Sequence, residues 1–200
     1  MSSSSLIRLA GLAALGSGVL GVMGDLLALV VDLDSPLSAT TAPYTIVFLV
    51  YLISAALLVL GLLGLYISQS QAVGTLGLAS FLLAFLGTVL LAGAFWFELF
   101  VTPALAARAP ELFAADLGVL GFTSMFLFAS VGWVLFGVAT LRAGVYPRWA
   151  AILLMVGGAI AFLPVPLRGI IFFVSVAYLG SLLFTGQARL EEQPSSRVRS

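Results

Sequence analysis

Six apolar stretches, separated by short polar or proline-containing segments, constrain this chain more than any other feature. Crossing a hydrocarbon core of about 30 Å takes about 20 helical residues. Four of the stretches reach that length and two are shorter. The spans that we predict are residues 6–31, 43–67, 73–101, 117–141, 147–163 and 169–184. The sequence therefore predicts an all-α polytopic membrane helix bundle with six transmembrane helices.

The segments between the spans contain residues that typically end helices or form turns. Polar turn clusters occupy residues 32–36, 68–71 and 142–148, and prolines at 164 and 166 divide the last apolar region into two spans. A single helix across that region would be roughly twice the length needed, so two helices in a tight hairpin are the better interpretation. We expect residues 1–186 to form one transmembrane domain and residues 187–200 a flexible cytoplasmic tail.

Composition excludes several classes of protein. Hydrophobic residues make up 62% of the chain and charged residues 8%, too few to coat a water-exposed surface. Cys, His and Lys are absent, which excludes thiol chemistry, histidine-held haem and a retinal Schiff base. The formal charge of zero gives no basic surface for nucleic acid. We therefore expect no cofactor, no metal site and no nucleic-acid partner.

The arginines predict the orientation of the bundle. With six spans both termini lie on one side, and six of the eight arginines fall on that side. Because cytoplasmic loops are enriched in arginine, this division places the N-terminus and the C-terminus in the cytoplasm. The exceptions are Arg108 and Arg168, which fall on the outer side together with most of the carboxylates.

Three charged residues are expected to meet in the outer half of the bundle. Asp25 and Glu98 share helix faces with small residues, which indicates that both point into the bundle, and Arg168 begins the sixth span at a similar depth. Ionisable groups inside a membrane are costly unless they are paired or hydrated. The cluster is either a structural ion-pair network or a ligand or proton site. Ser175, two turns inward of Arg168, is a candidate extension of it.

Two further features are candidates for the same site. The outer loop 102–116 alternates apolar and charged residues, so it is either an amphipathic lid over the cluster or an ordinary interfacial connector. Trp133, in the middle of the fourth span, either lines a ligand cavity or packs in the core. Trp96 belongs to the outer aromatic belt. The lid candidates are Arg108, Glu111, Phe113 and Asp116.

The segment Ala143-Gly144-Val145-Tyr146-Pro147-Arg148-Trp149, with Leu153-Leu154 and Gly157-Gly158 after it, carries a resemblance. It is similar to an inner-loop hairpin of uncharacterised six-helix bacterial membrane proteins, in families known only as domains of unknown function. The resemblance covers about 20 residues and the six-helix layout. It implies a bacterial inner (plasma) membrane location and brings no activity or site residues with it.

We expect a non-enzymatic binding, transport or accessory protein for a small or lipidic ligand, with an outward-facing acidic pocket. One alternative is an intramembrane enzyme that modifies a lipid or isoprenoid with Asp25 or Glu98 as general acid. The other is a structural subunit of a larger membrane complex. The expected partners are membrane lipid and either a second copy of the chain or a partner membrane subunit.

Overall fold

The computed structural model describes residues 3–113, 119–161 and 167–186. Within these residues the chain is helical, with no strand. The elements, in chain order, are α1 (Ser3–Ala28), α2 (Pro36–Ala39), α3 (Ala42–Phe100), α4 (Thr102–Arg108), α5 (Pro110–Phe113), α6 (Val119–Ala143), α7 (Arg148–Ile160) and α8 (Ile170–Thr185). The prediction of an all-α membrane helix bundle is confirmed.

The longest element, α3, is a hairpin of two helical arms. Gly74 interrupts the helix with φ 58° and ψ −152°, a conformation that favours glycine. The rings of Tyr66 and Phe81 stack with centroids 4.3 Å apart, although a continuous helix would separate these residues by about 22 Å. The chain therefore reverses at Gly74. We call residues 42–73 arm A and residues 75–100 arm B.

The six longer helical segments form a closed ring in which each segment packs against its neighbours in sequence and α8 packs against α1. Neighbours run antiparallel. Thus Ser17 of α1 meets Ser54 of arm A, and Trp149 of α7 packs its ring on Tyr178 of α8. The buried core draws on all six segments, with Trp133 and Phe136 of α6 near its centre. The ring is an up-and-down bundle that α8 closes against α1.

Glycines allow α1 and α8 to touch through their backbones. A Cβ atom at Gly18 would lie 2.4 Å from the carbonyl oxygen of Phe173, and one at Gly11 would lie 2.5 Å from the backbone nitrogen of Phe184. Without a hydrophobic driving force in lipid, helices associate through this kind of close contact. The small residues of the first span thus serve close packing of α1 against α8.

Three helical stretches are long and apolar enough to cross a membrane: Ser5–Ala28, Ala42–Arg108 and Thr123–Ala143. Because α3 reverses at Gly74, the second of them contributes two passes. The remaining apolar helices, α7 and α8, have 13 and 16 residues. We call the end of the bundle with residues 29–41, 101–109 and 167–169 the carboxylate end. The opposite end, with the start of α1 and Gly74, is the termini end.

The helix boundaries differ from the predicted spans at one informative point. The polar run 68–71 was expected to form the turn between the second and third spans, but it is helical, and the reversal comes at Gly74. Inside the helical structure Ser68 shares a hydrogen bond with Tyr146, and the Gln69 amide nitrogen donates to Thr140, so neither residue requires a loop. The tail 187–200 lies outside the described residues.

Candidate functional site

Asp25, near the end of α1, receives a hydrogen bond from a tyrosine of arm A. The Tyr51 hydroxyl donates to Oδ1 of Asp25 over 2.8 Å. Asp25 is half-buried and lies one turn before the end of α1, between arm A and the beginning of α8. Gly24 makes room for this contact, since a Cβ there would lie 2.7 Å from the Tyr51 ring. The pair joins α1 to arm A at the carboxylate end.

The second carboxylate oxygen of Asp25 is buried and completes no hydrogen bond. Gly169 lies directly against it: its backbone interacts with the carboxylate, and a Cβ at 169 would be 2.7 Å from Oδ2. Arg168 brings a positive charge close enough to act on Asp25, while its guanidinium carbon lies 5.9 Å from the centroid of the Phe126 ring. A buried acceptor with no donor costs free energy, so Oδ2 is the unsatisfied atom of this site.

The turn that carries Arg168 and Gly169 is conformationally unusual. Leu167 has φ 57°, in the left-handed region that a bulky side chain enters only at a cost of about 1–2 kcal/mol. Such backbone outliers cluster at functional sites. The turn places Gly169, which has no side chain, at the point where α8 begins against Asp25. Because Gly169 has no side chain, the beginning of α8 lies directly against the Asp25 carboxylate.

Glu98 is also paired with a tyrosine of arm A. The Tyr44 hydroxyl donates to Oε2 of Glu98 over 2.6 Å, and this bond joins the beginning of arm A to the end of arm B. Tyr44 is buried, and Thr102 at the start of α4 lies beside its hydroxyl. Ala39 of α2 and Leu99 pack against the same ring cluster. Glu98 is therefore a paired group beneath a cap made by α2 and α4.

Aromatic rings fill the space between the two tyrosine–carboxylate pairs. Tyr44, Phe48 and Tyr51 follow one another along one face of arm A, and Phe95 of arm B stacks on Tyr51 with centroids 4.9 Å apart and planes at 13°. The two tyrosines are seven residues, or about 10 Å, apart along the helix. Of the three residues expected to meet, the structure brings Asp25 and Arg168 near each other, whereas Glu98 belongs to a separate pair.

Below Asp25 the seam between α1 and arm A holds one more polar contact. The Ser54 hydroxyl donates to the backbone oxygen of Ser17 over 2.8 Å, and both residues are buried. Further toward the termini end the same face of arm A presents Leu58, Leu62 and Leu65, all fully buried. Along arm A, the line of polar groups from the carboxylate end therefore meets an apolar stretch in the middle of the helix.

Three other candidates occupy different surroundings. The Ser175 hydroxyl donates to the Phe172 backbone oxygen of its own helix, so it does not extend the site toward Asp25. Trp133 is buried, donates its indole N–H to Thr88 and packs edge-on against Phe172, an arrangement typical of a core residue. Trp96 is 52% exposed and packs on Phe100, at the outer surface of arm B.

The predicted lid begins as two short helices. Arg108 ends α4 and is exposed, and Glu111 lies exposed in α5. Phe113 is the last residue of α5, and Asp116 lies outside the described residues. Through α4 the loop packs on α2 and on the end of arm B, which places it over Glu98 and Tyr44.

Sequence reasoning missed the two tyrosines. Tyr44, Phe48 and Tyr51 have the i, i+4, i+7 spacing of a single helix face, and two of the three carry a hydroxyl. In a membrane span a tyrosine hydroxyl needs a partner, and a carboxylate at the same depth is the strongest available acceptor. That spacing was the signal that could have placed two tyrosine hydroxyls on one face of arm A, although it does not say which carboxylate each of them faces.

The termini end carries a second polar cluster, without charges. Tyr146 and Ser68 share a hydrogen bond of 2.7 Å, and burial raises the pKa of Tyr146 to about 12. Gln69 donates to Thr140 over 3.0 Å, while its Oε1 is buried with no hydrogen-bond partner. These contacts tie arm A to the end of α6 and to the segment that follows it.

Fold and site together define a multi-pass α-helical membrane bundle with two tyrosine–carboxylate pairs at one end. We compared the chain with protein-family models, curated proteins and solved structures, and none of the three comparisons found a match. The similarity of residues 143–158 to uncharacterised six-helix membrane proteins therefore stays a prediction.

Proposed function

We propose that this protein is a non-enzymatic membrane protein that binds a small lipophilic cation at its carboxylate end, with Asp25 as the charged contact. The observation that carries the proposal is the buried Oδ2 atom of Asp25, which completes no hydrogen bond although Oδ1 accepts one from Tyr51. A carboxylate oxygen that completes no hydrogen bond, although the Gly169 backbone lies against the carboxylate, is suited to receive a ligand's positive charge.

The surroundings of Asp25 favour a cation that also has apolar surface. The carboxylate end and the helix turns next to it carry an excess of negative charge that attracts cations. The described residues there include two arginines, Arg108 and Arg168, and five carboxylates, Asp25, Asp32, Asp34, Glu98 and Glu111. Tyr51 contacts Asp25 and Phe95 stacks on the Tyr51 ring, and aromatic faces attract cations while offering apolar contact. An organic ammonium or phosphonium ion combines both properties.

The interior favours binding at one end over conduction through the bundle. Leu58, Leu62 and Leu65 are fully buried between Ser54 and Gln69, and this apolar layer of arm A offers a cation no polar side chain. Moving a charge through such a layer is costly. We therefore favour a binding or accessory protein over one that conducts a cation through the bundle.

The charges also support the orientation and location expected from the sequence. Arg8, Arg142 and Arg148 are exposed at the termini end, while the carboxylate end carries the acidic excess. By the positive-inside rule this distribution supports our proposal that both termini lie in the cytoplasm and that the cation site faces outward from the inner (plasma) membrane.

The experiment is thermal unfolding of the purified protein with tetraphenylphosphonium, and with tetraphenylborate as an anion of the same shape. A ligand that binds the native state raises the unfolding midpoint with concentration. We expect the phosphonium ion to stabilise the wild-type protein, tetraphenylborate not to, and Asp25→Asn to abolish the effect. Equal shifts for wild type and Asp25→Asn would overturn the proposal.

Gly169→Ala tests whether the position of the Asp25 carboxylate matters separately from its charge. The new methyl group would lie 2.7 Å from Oδ2 and must displace the carboxylate, although Asp25 keeps its charge. We expect this variant to lose most of the phosphonium-induced shift. Gly93→Ala is the control, because no atom lies within 4 Å of a Cβ at that exposed position.

A structural subunit of a larger membrane complex is the second candidate, and the Glu98 pair favours it. Glu98 is paired with Tyr44 beneath the cap of α2 and α4, so this carboxylate has a structural partner already. In that case Glu98→Gln would lower stability, and co-purification with a second membrane protein or a second copy would depend on the cap.

A further inference from the structure

Arg168, at the start of α8, brings a cation of the protein's own to the site around Asp25. Gly169, the next residue, lies directly against the carboxylate, and a Cβ there would be 2.7 Å from Oδ2. The guanidinium carbon of Arg168 lies 5.9 Å from the centroid of the Phe126 ring of α6. Its charge acts on Asp25 and also on Tyr51, the donor to Oδ1. Any ligand cation at Asp25 therefore meets a positive charge that is already there.

The backbone on both sides of Arg168 fixes where this charge lies. Before it, Leu167 has φ 57°, and its carbonyl oxygen accepts a 3.1 Å hydrogen bond from the N–H of Ile170. After it, the carbonyl oxygen of Gly169 accepts a 2.8 Å hydrogen bond from the N–H of Phe173, so α8 continues directly from the turn. Arg168 is thus held beside the carboxylate by a turn on one side and a helix on the other.

A guanidinium group and an organic cation are recognised by the same partners. Both are attracted by a carboxylate and by the face of an aromatic ring, and these are the groups that surround Arg168. A fixed positive charge repels a second cation with an energy proportional to the charge of that cation. Within a partly buried site this repulsion is screened less than it is in water. A dication therefore loses more affinity than a monocation does.

We infer that Arg168 determines the charge selectivity of the cation site, because its guanidinium competes with the ligand for the negative field of Asp25. The charges of Asp25 and Arg168 cancel, so a ligand that enters gains little from charge alone and depends on contact with the aromatic rings. The site then selects monovalent organic cations with apolar surface and rejects dications and small hydrated ions. This inference rests on the proposed function, since it concerns the same contact of Asp25.

The test is equilibrium binding of two aromatic cations, tetraphenylphosphonium and the dication methyl viologen, to the purified protein in lipid nanodiscs. We expect Arg168→Gln to bind tetraphenylphosphonium about tenfold more tightly than the wild type does. Its gain for methyl viologen should be larger, because the repulsion that it removes scales with the charge of the ligand. Each gain compares a ligand with itself, so the different shapes of the two ligands do not enter.

Three further variants separate charge from structure. Arg168→Lys keeps the charge and should bind both cations within about twofold of the wild type. Arg108→Gln, which removes an exposed arginine at the end of α4, is the matched control and should change neither affinity by more than that factor. Arg168→Met removes the same charge as Arg168→Gln and keeps an apolar stem, so it carries the same prediction even where Arg168→Gln does not fold.

The outcomes distinguish this inference from the proposed function. Wild-type binding of tetraphenylphosphonium that the neutral variants of Arg168 leave unchanged or weaken would overturn the inference alone. Equal gains for the monocation and the dication would overturn it too, because a change of shape rather than of charge would then be the cause. If neither the wild type nor the neutral variants bind tetraphenylphosphonium, the proposed function and the inference are both wrong.

Discussion

Tyr51 donates a 2.8 Å hydrogen bond to Asp25 across the seam between arm A and α1, and the other carboxylate oxygen of Asp25, against which Gly169 lies, completes no hydrogen bond. Glu98 differs in its setting, because it is paired with Tyr44 beneath the cap formed by α2 and α4. Two acidic residues at one end of the bundle thus have different surroundings: Glu98 joins the arms of a hairpin, whereas Asp25 is the residue that we propose as the ligand contact.

Tyr51→Phe removes the donor to Asp25 and keeps the ring that stacks on Phe95. Hydrogen bonds to charged groups are worth about 1.5–3 kcal/mol, so we expect the free energy of unfolding to fall by that amount. Unfolding in mixed micelles with increasing dodecyl sulfate measures it. Tyr66→Phe, which keeps the stacking on Phe81, is the control; an equal loss in both variants would refute a specific role for the Tyr51 hydroxyl.

Gly18→Ala tests the contact of α1 with α8. The added methyl group would overlap the backbone oxygen of Phe173 and the backbone nitrogen of Ala177, neither of which can rotate away. Overpacking of this kind costs about 1–3 kcal/mol. The same micelle titration should show that loss for Gly18→Ala and little change for the exposed Gly93→Ala. Wild-type stability in Gly18→Ala would argue against backbone contact between these helices.

Gly74→Ala tests the reversal of α3. A Cβ at Gly74 meets no atom within 4 Å, so only the backbone conformation opposes it. A non-glycine residue held at φ 58° and ψ −152° costs about 1–3 kcal/mol. We expect the unfolding free energy to fall by that amount and the helical circular dichroism of the native state to persist. A variant as stable as the wild type would place the reversal elsewhere.

Orientation can be measured with a matched pair of cysteines, because the chain has none of its own. Thr40 and Thr75 are both exposed, at the carboxylate end and the termini end respectively. In intact cells we expect a membrane-impermeant maleimide to label Thr40→Cys, and to label Thr75→Cys only after the membrane is permeabilised. The reverse pattern would place the carboxylate end in the cytoplasm.

The sequence predicted the helical class and the packed faces of this fold better than the contacts between individual side chains. Apolar run lengths gave the helical class, and the glycines of the first span gave its packed face, since both follow from local pattern. The sequence predicts the turn at residues 68–71 because these residues are polar. In the structure the turn lies at Gly74 instead, since Ser68 and Gln69 form hydrogen bonds with residues of other segments. Pairing depends on which helix lies opposite, and no spacing along the chain revealed that Tyr44 faces Glu98.

Equilibrium binding of tetraphenylphosphonium to the protein in lipid nanodiscs, corrected for empty nanodiscs, tests the central claim most directly. The account predicts saturable binding by the wild type, at least about tenfold weaker binding by Asp25→Asn, and wild-type affinity for Glu98→Gln, whose carboxylate already serves Tyr44. Binding that Asp25→Asn leaves unchanged, or that Glu98→Gln weakens as much, would contradict it.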